Sequence, residues 1–240
     1  MTTTTTLHLL CAGAAQGLVK ALQGDFTART GVLLQARFDA VGALKAVLLA
    51  GAEPCDVFIA TQTMVHALQA SGELALDTAA PLGRVRTGVA VRAGEPLPPI
   101  ATPEALRDAL LAASAVYFPD PQRATAGIHF ASVLDRLGIR GELAARCRTF
   151  PNGATSMREL AAAPAGAIGC TQVTEILYTE GVALAGALPP EYELATVYAA
   201  ASTMRTAEPV LARRFVELLG GPASRALRER GGFEFDPPDA

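Results

Sequence analysis

The sequence predicts an α/β protein built on a doubly wound parallel sheet. Two observations lead to this class. Short apolar segments alternate with helical segments three times before Ala60, and this alternation is typical of parallel strands joined by crossover helices. Half of the 240 residues are hydrophobic but only 5% are aromatic. A composition dominated by Ala, Leu, Val and Gly suits helices that pack on such a sheet.

The first third of the chain supplies three strand–helix pairs. Strands are predicted at 7–12, 32–38 and 56–60. After Asp56 the third is continuously apolar, which is typical of a strand buried on both faces. One helix follows the turn at Gly13 and ends before Gly31, and another runs from Gly42 to Gly51. Their apolar residues recur at helical spacing, and glycine is a common helix end.

The rest of the chain repeats the pattern with longer connections. Further strands or extended segments are predicted at 85–91, 113–118, 167–170 and 191–200. Thr102 and Pro103 predict a helix start, with the threonine as N-cap and proline at the first position. A helix through Met157 follows the turn at 151–153, and the last strong helix carries apolar residues over 210–219.

The segment from Pro119 to Phe130 carries the clearest functional signal. It follows an apolar strand and opens a helix whose first residues are small, namely Thr125, Ala126 and Gly127. Small residues at a helix start leave the first backbone N–H groups open to a ligand, and the helix dipole favours an anion there. The sequence therefore indicates binding of a small anion more clearly than it indicates any catalytic reaction.

Charge and residue spacing exclude several other classes. The formal net charge is −3 and there is no run of Lys or Arg, so nucleic acid is not an expected partner. No apolar stretch approaches the length of a membrane span. No C-x-x-C pair and no histidine ligand spacing occurs, so we expect neither a metal site nor a cofactor. The four cysteines are expected to be buried free thiols.

The N-terminal residues give two alternatives for location. A threonine run, Thr2–Thr6, precedes a short apolar run and no basic n-region is present. A signal peptide needs both a basic start and a longer apolar segment. We therefore expect a periplasmic protein if an export signal was removed, and a cytoplasmic one otherwise.

Four segments resemble the substrate-binding proteins of ABC transporters, most closely the molybdate-binding branch. They are Cys11–Ala15, Phe26–Gly42, Gly51–Ala60 and Asp120–Gly127. The resemblance extends over nearly the whole chain. It implies the type II periplasmic-binding-protein fold: two doubly wound α/β lobes with a hinge and an interlobe ligand cleft. Lobe one is expected at 1–87 plus 195–240 and lobe two at 88–194, with hinge closure on the ligand.

The resemblance also implies a set of ligand-binding residues. In this family, helix N-termini from both lobes hold a desolvated anion with N–H groups and hydroxyls. The matching positions are Gly13, Ala14, Ala15, Ala40, Val41, Gly42, Thr125, Ala126, Gly127, Ala154, Thr155 and Gln172. Arg123 joins them, ahead of Arg37 and Arg148, because a guanidinium is a planar clamp for carboxylates.

Each of these positions has a plainer alternative. The small residues of the first two turns could serve only to let helices approach strands. Thr125 could be an ordinary N-cap, and Ala154 with Thr155 could belong to a turn and cap. Gln172 could be a surface residue, and most arginines are simply solvated.

The departures from the molybdate-binding pattern bear on the ligand. Molybdate binders use serine hydroxyls where this chain has Ala14 and either Ala40 or Val41, and a tyrosine where it has Gln172. Each missing hydrogen bond to a desolvated oxyanion costs about 1–3 kcal/mol. Molybdate itself is therefore not the expected ligand, and a larger organic anion that fills the vacated space is.

Two functions follow. The first is a non-catalytic, monomeric solute-binding component of an ABC transporter, which takes a small organic carboxylate or oxyanion to a permease. The alternative is an isomerase of an unsaturated polycarboxylate such as aconitate, which some relatives of the family are. Allylic isomerisation needs a base, for which the candidates are Asp39, Cys170, Glu175 and His129. A cytoplasmic ligand sensor is a third possibility, although no DNA-binding helix pair is visible.

Overall fold

The computed structural model describes residues 5–235, which form two compact units. Unit 1 comprises the described parts of Met1–Arg84 and Thr196–Ala240, and unit 2 is Val85–Ala195. None of the helices within the described range has the length and apolar character needed to span a bilayer. The predicted α/β class is confirmed.

Unit 1 contains a four-stranded sheet flanked by helices. Its strands are β1 (Thr6–Ala12), β2 (Leu33–Asp39), β3 (Val57–Thr61) and β9 (Ala195–Ser202), with Ala195 itself the last residue of unit 2. Its helices are α1 (Gln16–Thr30), α2 (Val41–Ala50), α3 (Gln62–Ala70), α9 (Pro209–Gly220) and α10 (Arg225–Arg230). The strand order is β2-β1-β3-β9, in which β1 pairs parallel with β2 and β3, and β9 pairs antiparallel with β3.

Unit 2 contains five strands. They are β4 (Ala80–Arg92), which enters the unit from unit 1, β5 (Val116–Pro119), β6 (Cys147–Phe150), β7 (Ile168–Gln172) and β8 (Val182–Ala187). Its helices are α4 (Pro103–Ala112), α5 (Thr125–Arg136), α6 (Arg140–Leu143), α7 (Gly153–Ala161) and α8 (Val173–Tyr178). In the order β8-β4-β7-β5-β6, strands β5, β6 and β7 are parallel, and β4 is antiparallel to β7 and β8.

Aromatic pairs mark the core of each unit. In unit 1, Phe26 of α1 meets Phe215 of α9 edge to face with ring centroids 4.9 Å apart. In unit 2, Phe118 of β5 meets Phe130 of α5 in the same manner at 5.3 Å. All four side chains are buried, and burial of such a side chain stabilises the fold by about 1.5–3 kcal/mol. These pairs fix α9 against α1 and α5 against the sheet.

The structure adds elements that the sequence patterns did not predict. Strand β8 consists of Val182 and Leu184 among small residues, and Ala and Gly carry little preference for strands. The extended return expected at 191–200 is instead a short 3₁₀ turn at Pro190–Tyr192 followed by β9. Helix α2 begins at Val41, one residue before the predicted Gly42.

Candidate functional site

Six of the predicted ligand residues lie at one edge of the sheet of unit 1. Because β1, β2 and β3 run parallel, their carboxyl ends meet at this edge. Each strand is followed there by a helix start, and ligands of open α/β sheets bind at such an edge. The residues that the structure brings to it are Gly13, Ala14, Ala15, Ala40, Val41 and Gly42.

Helix α2 begins without a side-chain cap. Its N-cap residue is Ala40, whose own N–H donates to Asp39 Oδ1 at 2.8 Å. Helix α3 at the same edge differs, because Thr61 Oγ1 accepts the N–H of Met64 at 3.3 Å. The first N–H groups of α2 therefore have no side-chain acceptor in the described chain, as an anion-binding helix start requires.

The packing alternative also has support in the first turn. Gly13–Ala15 form a 3₁₀ turn that leads into α1, and the side chains of Ala14 and Ala15 are both buried. These methyl groups fill space against the sheet. The ligand-binding role of the six unit 1 residues stays a prediction.

The remaining predicted residues lie on unit 2, most of them at the carboxyl edge of its parallel strands. Strands β5, β6 and β7 end at Pro119, Phe150 and Gln172, and α5, α7 and α8 begin just beyond these ends. The predicted residues in these segments are Arg123, Thr125, Ala126, Gly127, Ala154, Thr155 and Gln172. The parallel pairing of the strands therefore gathers segments separated by about fifty residues of chain.

Helix α5 offers open N–H groups at its start. Its N-cap residue is Ala124, so the alternative that Thr125 is the N-cap is wrong. The N–H groups of Thr125, Ala126 and Gly127 donate no hydrogen bond to any residue within 5–235. Asp120 Oδ1 accepts the N–H groups of two residues in the preceding turn, at 2.7 and 3.2 Å, and so does not cap α5 itself.

Gly127 holds the start of α5 close to the end of β5. A Cβ atom at this position would lie 2.3 Å from the carbonyl oxygens of both Pro119 and Asp120. Real Cβ atoms never come so close to a backbone oxygen, so only glycine fits. This close approach is a packing reason for glycine at position 127. It also fixes the position of the open N–H groups beside it.

The N-terminus of α7 is filled by the protein's own groups. Asn152 Oδ1 accepts the N–H of Thr155 at 2.9 Å. The Glu175 carboxyl accepts the backbone N–H of Ala154, and Thr171 Oγ1 donates to Glu175 Oε2 at 2.6 Å. A Cβ at Gly153 would lie 1.9 Å from Glu175 Oε2. Ala154 and Thr155 therefore reach the predicted edge with their N–H groups already engaged.

Burial dominates the protonation of Glu175. Its side chain is 5% exposed. Desolvation raises the pKa of its carboxyl from the ordinary 4.5 to about 7, against the hydrogen bonds from Thr171 and from the backbone N–H groups of Gln172 and Ala154, which lower it. Removing a carboxylate from water disfavours its charged form more than these donors favour it. Glu175 is therefore divided between neutral and ionised forms near pH 7.

Gln172 is buried at this edge with an unpaired amide. Its residue is 2% exposed, so the alternative of a surface residue is wrong. Neither Nε2 nor Oε1 has a hydrogen-bond partner within residues 5–235. Thr87, its cross-strand neighbour on β4, and Thr174 on α8 also bury hydroxyls that lack a partner there. Nothing in the sequence pattern indicated Thr87, which is paired with a residue 85 positions later.

The three arginines differ in how they are engaged. Arg37 forms ion pairs with Glu53 and, at 3.5 Å, with Asp39. Arg148 donates through Nη1 to two carbonyl oxygens of its own turn at 2.8 and 2.9 Å. Arg123 is exposed and its side chain has no ion pair with any of residues 5–235. Of the three, Arg123 is the one available to a carboxylate.

The candidate bases also separate. Burial raises the pKa of the Cys170 thiol well above its ordinary value, so it is protonated. His129 Nε2 lies 2.7 Å from the carbonyl oxygen of Tyr192, and Asp39 Oδ1 accepts the N–H of Ala40. Burial raises the pKa of the Glu175 carboxyl to about 7. Within residues 5–235, no three His, Cys, Asp or Glu side chains are grouped so as to hold a metal ion.

Comparison with known sequences adds two findings. The sequence pattern of a family described as "bacterial extracellular solute-binding protein" matches residues 7–234. The chain is also 27% identical over 233 residues to a protein named aconitate isomerase from Pseudomonas sp, a match that covers 95% of this chain and 87% of that protein.

Solved structures of a molybdate-binding protein and a sulfate-binding protein share the fold. The periplasmic molybdate-binding protein of Azotobacter vinelandii matches with a TM-score of 0.77 at 22% identity, over 96% of this chain and 100% of that one. The sulfate-binding protein of Mycobacterium tuberculosis matches with a TM-score of 0.74 at 18% identity, over 98% and 88%. The predicted resemblance and the type II periplasmic-binding-protein fold are confirmed.

Proposed function

The chain belongs to the family of bacterial extracellular solute-binding proteins, and from this premise we propose that it binds a small organic carboxylate for delivery to a membrane permease. The observation that carries the proposal is the uncapped start of α5, with its open N–H groups, at the same sheet edge as the unpaired amide of Gln172. Both groups need a polar guest, and the helix start favours a negative one.

The residues around the helix starts favour an organic anion over an inorganic oxyanion. The buried side chains of Ala14, Ala40 and Val41, at the edge of unit 1, carry no hydroxyl that could donate to an oxyanion. An inorganic oxyanion needs donors around most of its oxygens, whereas a carbon skeleton can lie against methyl groups. Arg123 is exposed beside the start of α5 and supplies a fork suited to a carboxylate.

Three parts of the proposal rest on the family. The predicted closure of two lobes on the ligand, delivery to a permease, and a periplasmic location are properties expected of a solute-binding protein. The molybdate-binding protein of Azotobacter vinelandii named above is periplasmic, which supports the periplasm for this chain. The monomeric state stays a prediction.

A thermal-shift panel tests the proposal. We expect succinate, tricarballylate or citrate at millimolar concentration to raise the melting temperature, because a ligand that binds only the folded state stabilises it. Molybdate and sulfate serve as the inorganic comparison. Absence of a shift with every carboxylate, or a shift with molybdate alone, contradicts the proposal.

One substitution isolates the helix start. Thr125→Pro removes a single open N–H, and proline fits the first helical position. Ala124 has φ −98° and ψ 129°, which a residue before proline tolerates. We expect unchanged stability and a carboxylate Kd raised about tenfold or more, since a hydrogen bond to a charged group is lost. Gln62→Pro, at the same position of the capped helix α3, is the matched control and leaves the Kd unchanged.

The second candidate is an isomerase of an unsaturated polycarboxylate. The 27% identity to a named aconitate isomerase, over nearly the whole chain, favours it. Glu175 supports it further, because a carboxyl with a pKa of about 7 suits a general base at neutral pH. Incubation with cis- and trans-aconitate, followed by chromatography, tests it. Interconversion that disappears in Glu175→Gln supports catalysis, and no interconversion leaves the binding function.

A further inference from the structure

We infer that the ligand carries a hydroxyl group beside a carboxylate, and that the amide of Gln172 recognises this pair. The inference rests on the proposed function, because it names the chemical class of the carboxylate bound at the same edge. It begins with the burial of Gln172, which is 2% exposed with both amide atoms unpaired among residues 5–235. Buried side-chain polar atoms in folded proteins are nearly always partnered.

A threonine lies opposite Gln172 in the sheet. Thr87 and Gln172 are directly opposite in the antiparallel pair of β4 and β7, so their side chains lie on the same face of the sheet. Thr87 is 1% exposed, and its hydroxyl has no hydrogen-bond partner in the described chain. The hydroxyl of Thr174 has no hydrogen-bond partner there either. Thr87 and Gln172 therefore place unpaired neutral polar groups on one face of the sheet at the end of β7, and Thr174 follows two residues later in the chain.

The amide of Gln172 needs both an acceptor and a donor as hydrogen-bond partners. Its Nε2 donates hydrogen bonds and its Oε1 accepts them. A fully ionised anion such as sulfate or succinate offers acceptors only. It can accept a hydrogen bond from Nε2, but it has no donor for Oε1. A hydroxyl on the carbon next to a carboxylate supplies a donor and an acceptor side by side, and one primary amide can engage both.

An ammonium group is the other donor that a small acid can carry beside its carboxylate. It would bring a positive charge that needs a counter-ion. The nearest carboxyl along the chain is Glu175, which is already bonded to Thr171 and is buried. A desolvated charge without a partner is costly, so the neutral hydroxyl fits this group of side chains better than the ammonium.

The test compares ligands that share one skeleton. Malate, succinate and aspartate are four-carbon dicarboxylates that differ by a hydroxyl, a hydrogen or an ammonium at one carbon, and citrate and tricarballylate form a second pair. Their Kd values are measured by calorimetry with the wild-type protein, using both enantiomers of malate. We expect the hydroxylated member of a pair to bind about tenfold or more tightly, because an unpaired buried acceptor is costly.

The variant Gln172→Met assigns the preference to the amide. It keeps the approximate volume of the side chain and removes both polar atoms, so the hydroxylated and plain members should bind equally. Gln69→Met is the matched control, because the buried amide of Gln69 already donates to the carbonyl oxygens of Ala75 and Leu76. It should leave the preference intact.

The outcomes separate this inference from the proposed function. If succinate and tricarballylate bind as tightly as their hydroxylated partners, or if aspartate binds tightest, the inference is overturned while carboxylate binding stands. If no carboxylate binds, the proposed function itself fails. Should Gln172→Met not fold, the wild-type comparison alone decides whether the hydroxyl is recognised.

Discussion

Glu175→Gln should remove a pH dependence from the stability of the protein. The carboxyl of Glu175 has a pKa of about 7 when folded, against an ordinary value of 4.5. Between these two values the folded state binds more protons than the unfolded one. The free energy of unfolding therefore falls as the pH rises from about 4.5 to about 7, and levels off above the folded pKa.

The magnitude follows from the two pKa values. Each pKa unit is worth about 1.4 kcal/mol, so the full difference corresponds to about 3 kcal/mol, of which about 2 kcal/mol falls between pH 5.5 and pH 8. Glutamine keeps the shape of the protonated side chain but does not ionise. Glu175→Gln should thus be more destabilising at pH 5.5 than at pH 8 by about 2 kcal/mol.

Urea unfolding followed by circular dichroism measures this difference. Curves for the wild type and Glu175→Gln at pH 5.5, 6.5 and 8 are subtracted at each pH, which cancels contributions from the histidines common to both. Glu159→Gln, an exposed position on α7, is the control and should show the wild-type dependence. The reasoning is refuted if Glu175→Gln retains the wild-type dependence too.

Two stability predictions concern the starts of α5 and α7. Gly127→Ala should lower the free energy of unfolding in urea by about 3 kcal/mol, because backbone oxygens lie where the Cβ would be. Gly24→Ala, whose Cβ would have nothing within 4 Å, should raise it by up to about 1 kcal/mol. Equal effects of the two substitutions would contradict the packing argument. Asn152→Ala should lower the free energy of unfolding by about 1 kcal/mol through loss of the cap on Thr155, and no change would mean that the cap contributes nothing.

The positions of the helix starts could be predicted from the sequence better than the burial and protonation of the side chains near them. The small residues at 125–127 correctly indicated the start of α5, which has no side-chain cap, whereas the start predicted for α2 at Gly42 is one residue late. The four candidate bases could be named but not ranked, because the burial of Glu175 and its contact with Gly153 depend on β7, α7 and α8 packing together. Burial of this kind arises from tertiary packing and leaves no local pattern.

The same reason explains what was missed in unit 2. Thr87 lies within a long strand and gives no local signal, and only its pairing with Gln172 places it at the candidate site. Strand β8 was missed because its small residues mimic a loop, although antiparallel pairing with β4 fixes it in the sheet. Elements with strong apolar periodicity were predictable, whereas contacts distant in sequence were not.

The division of unit 1 into two stretches of chain has a consequence for its synthesis. A ribosome releases β1 to β3 early, but their sheet lacks its antiparallel neighbour β9, and Phe26 lacks Phe215, until the final fifty residues or so emerge. All the strands of unit 2 are available before then. Unit 1, whose first strands are translated first, is thus the last unit to be completed. Its sheet and its aromatic core cannot form in full until the C-terminal segment has been synthesised.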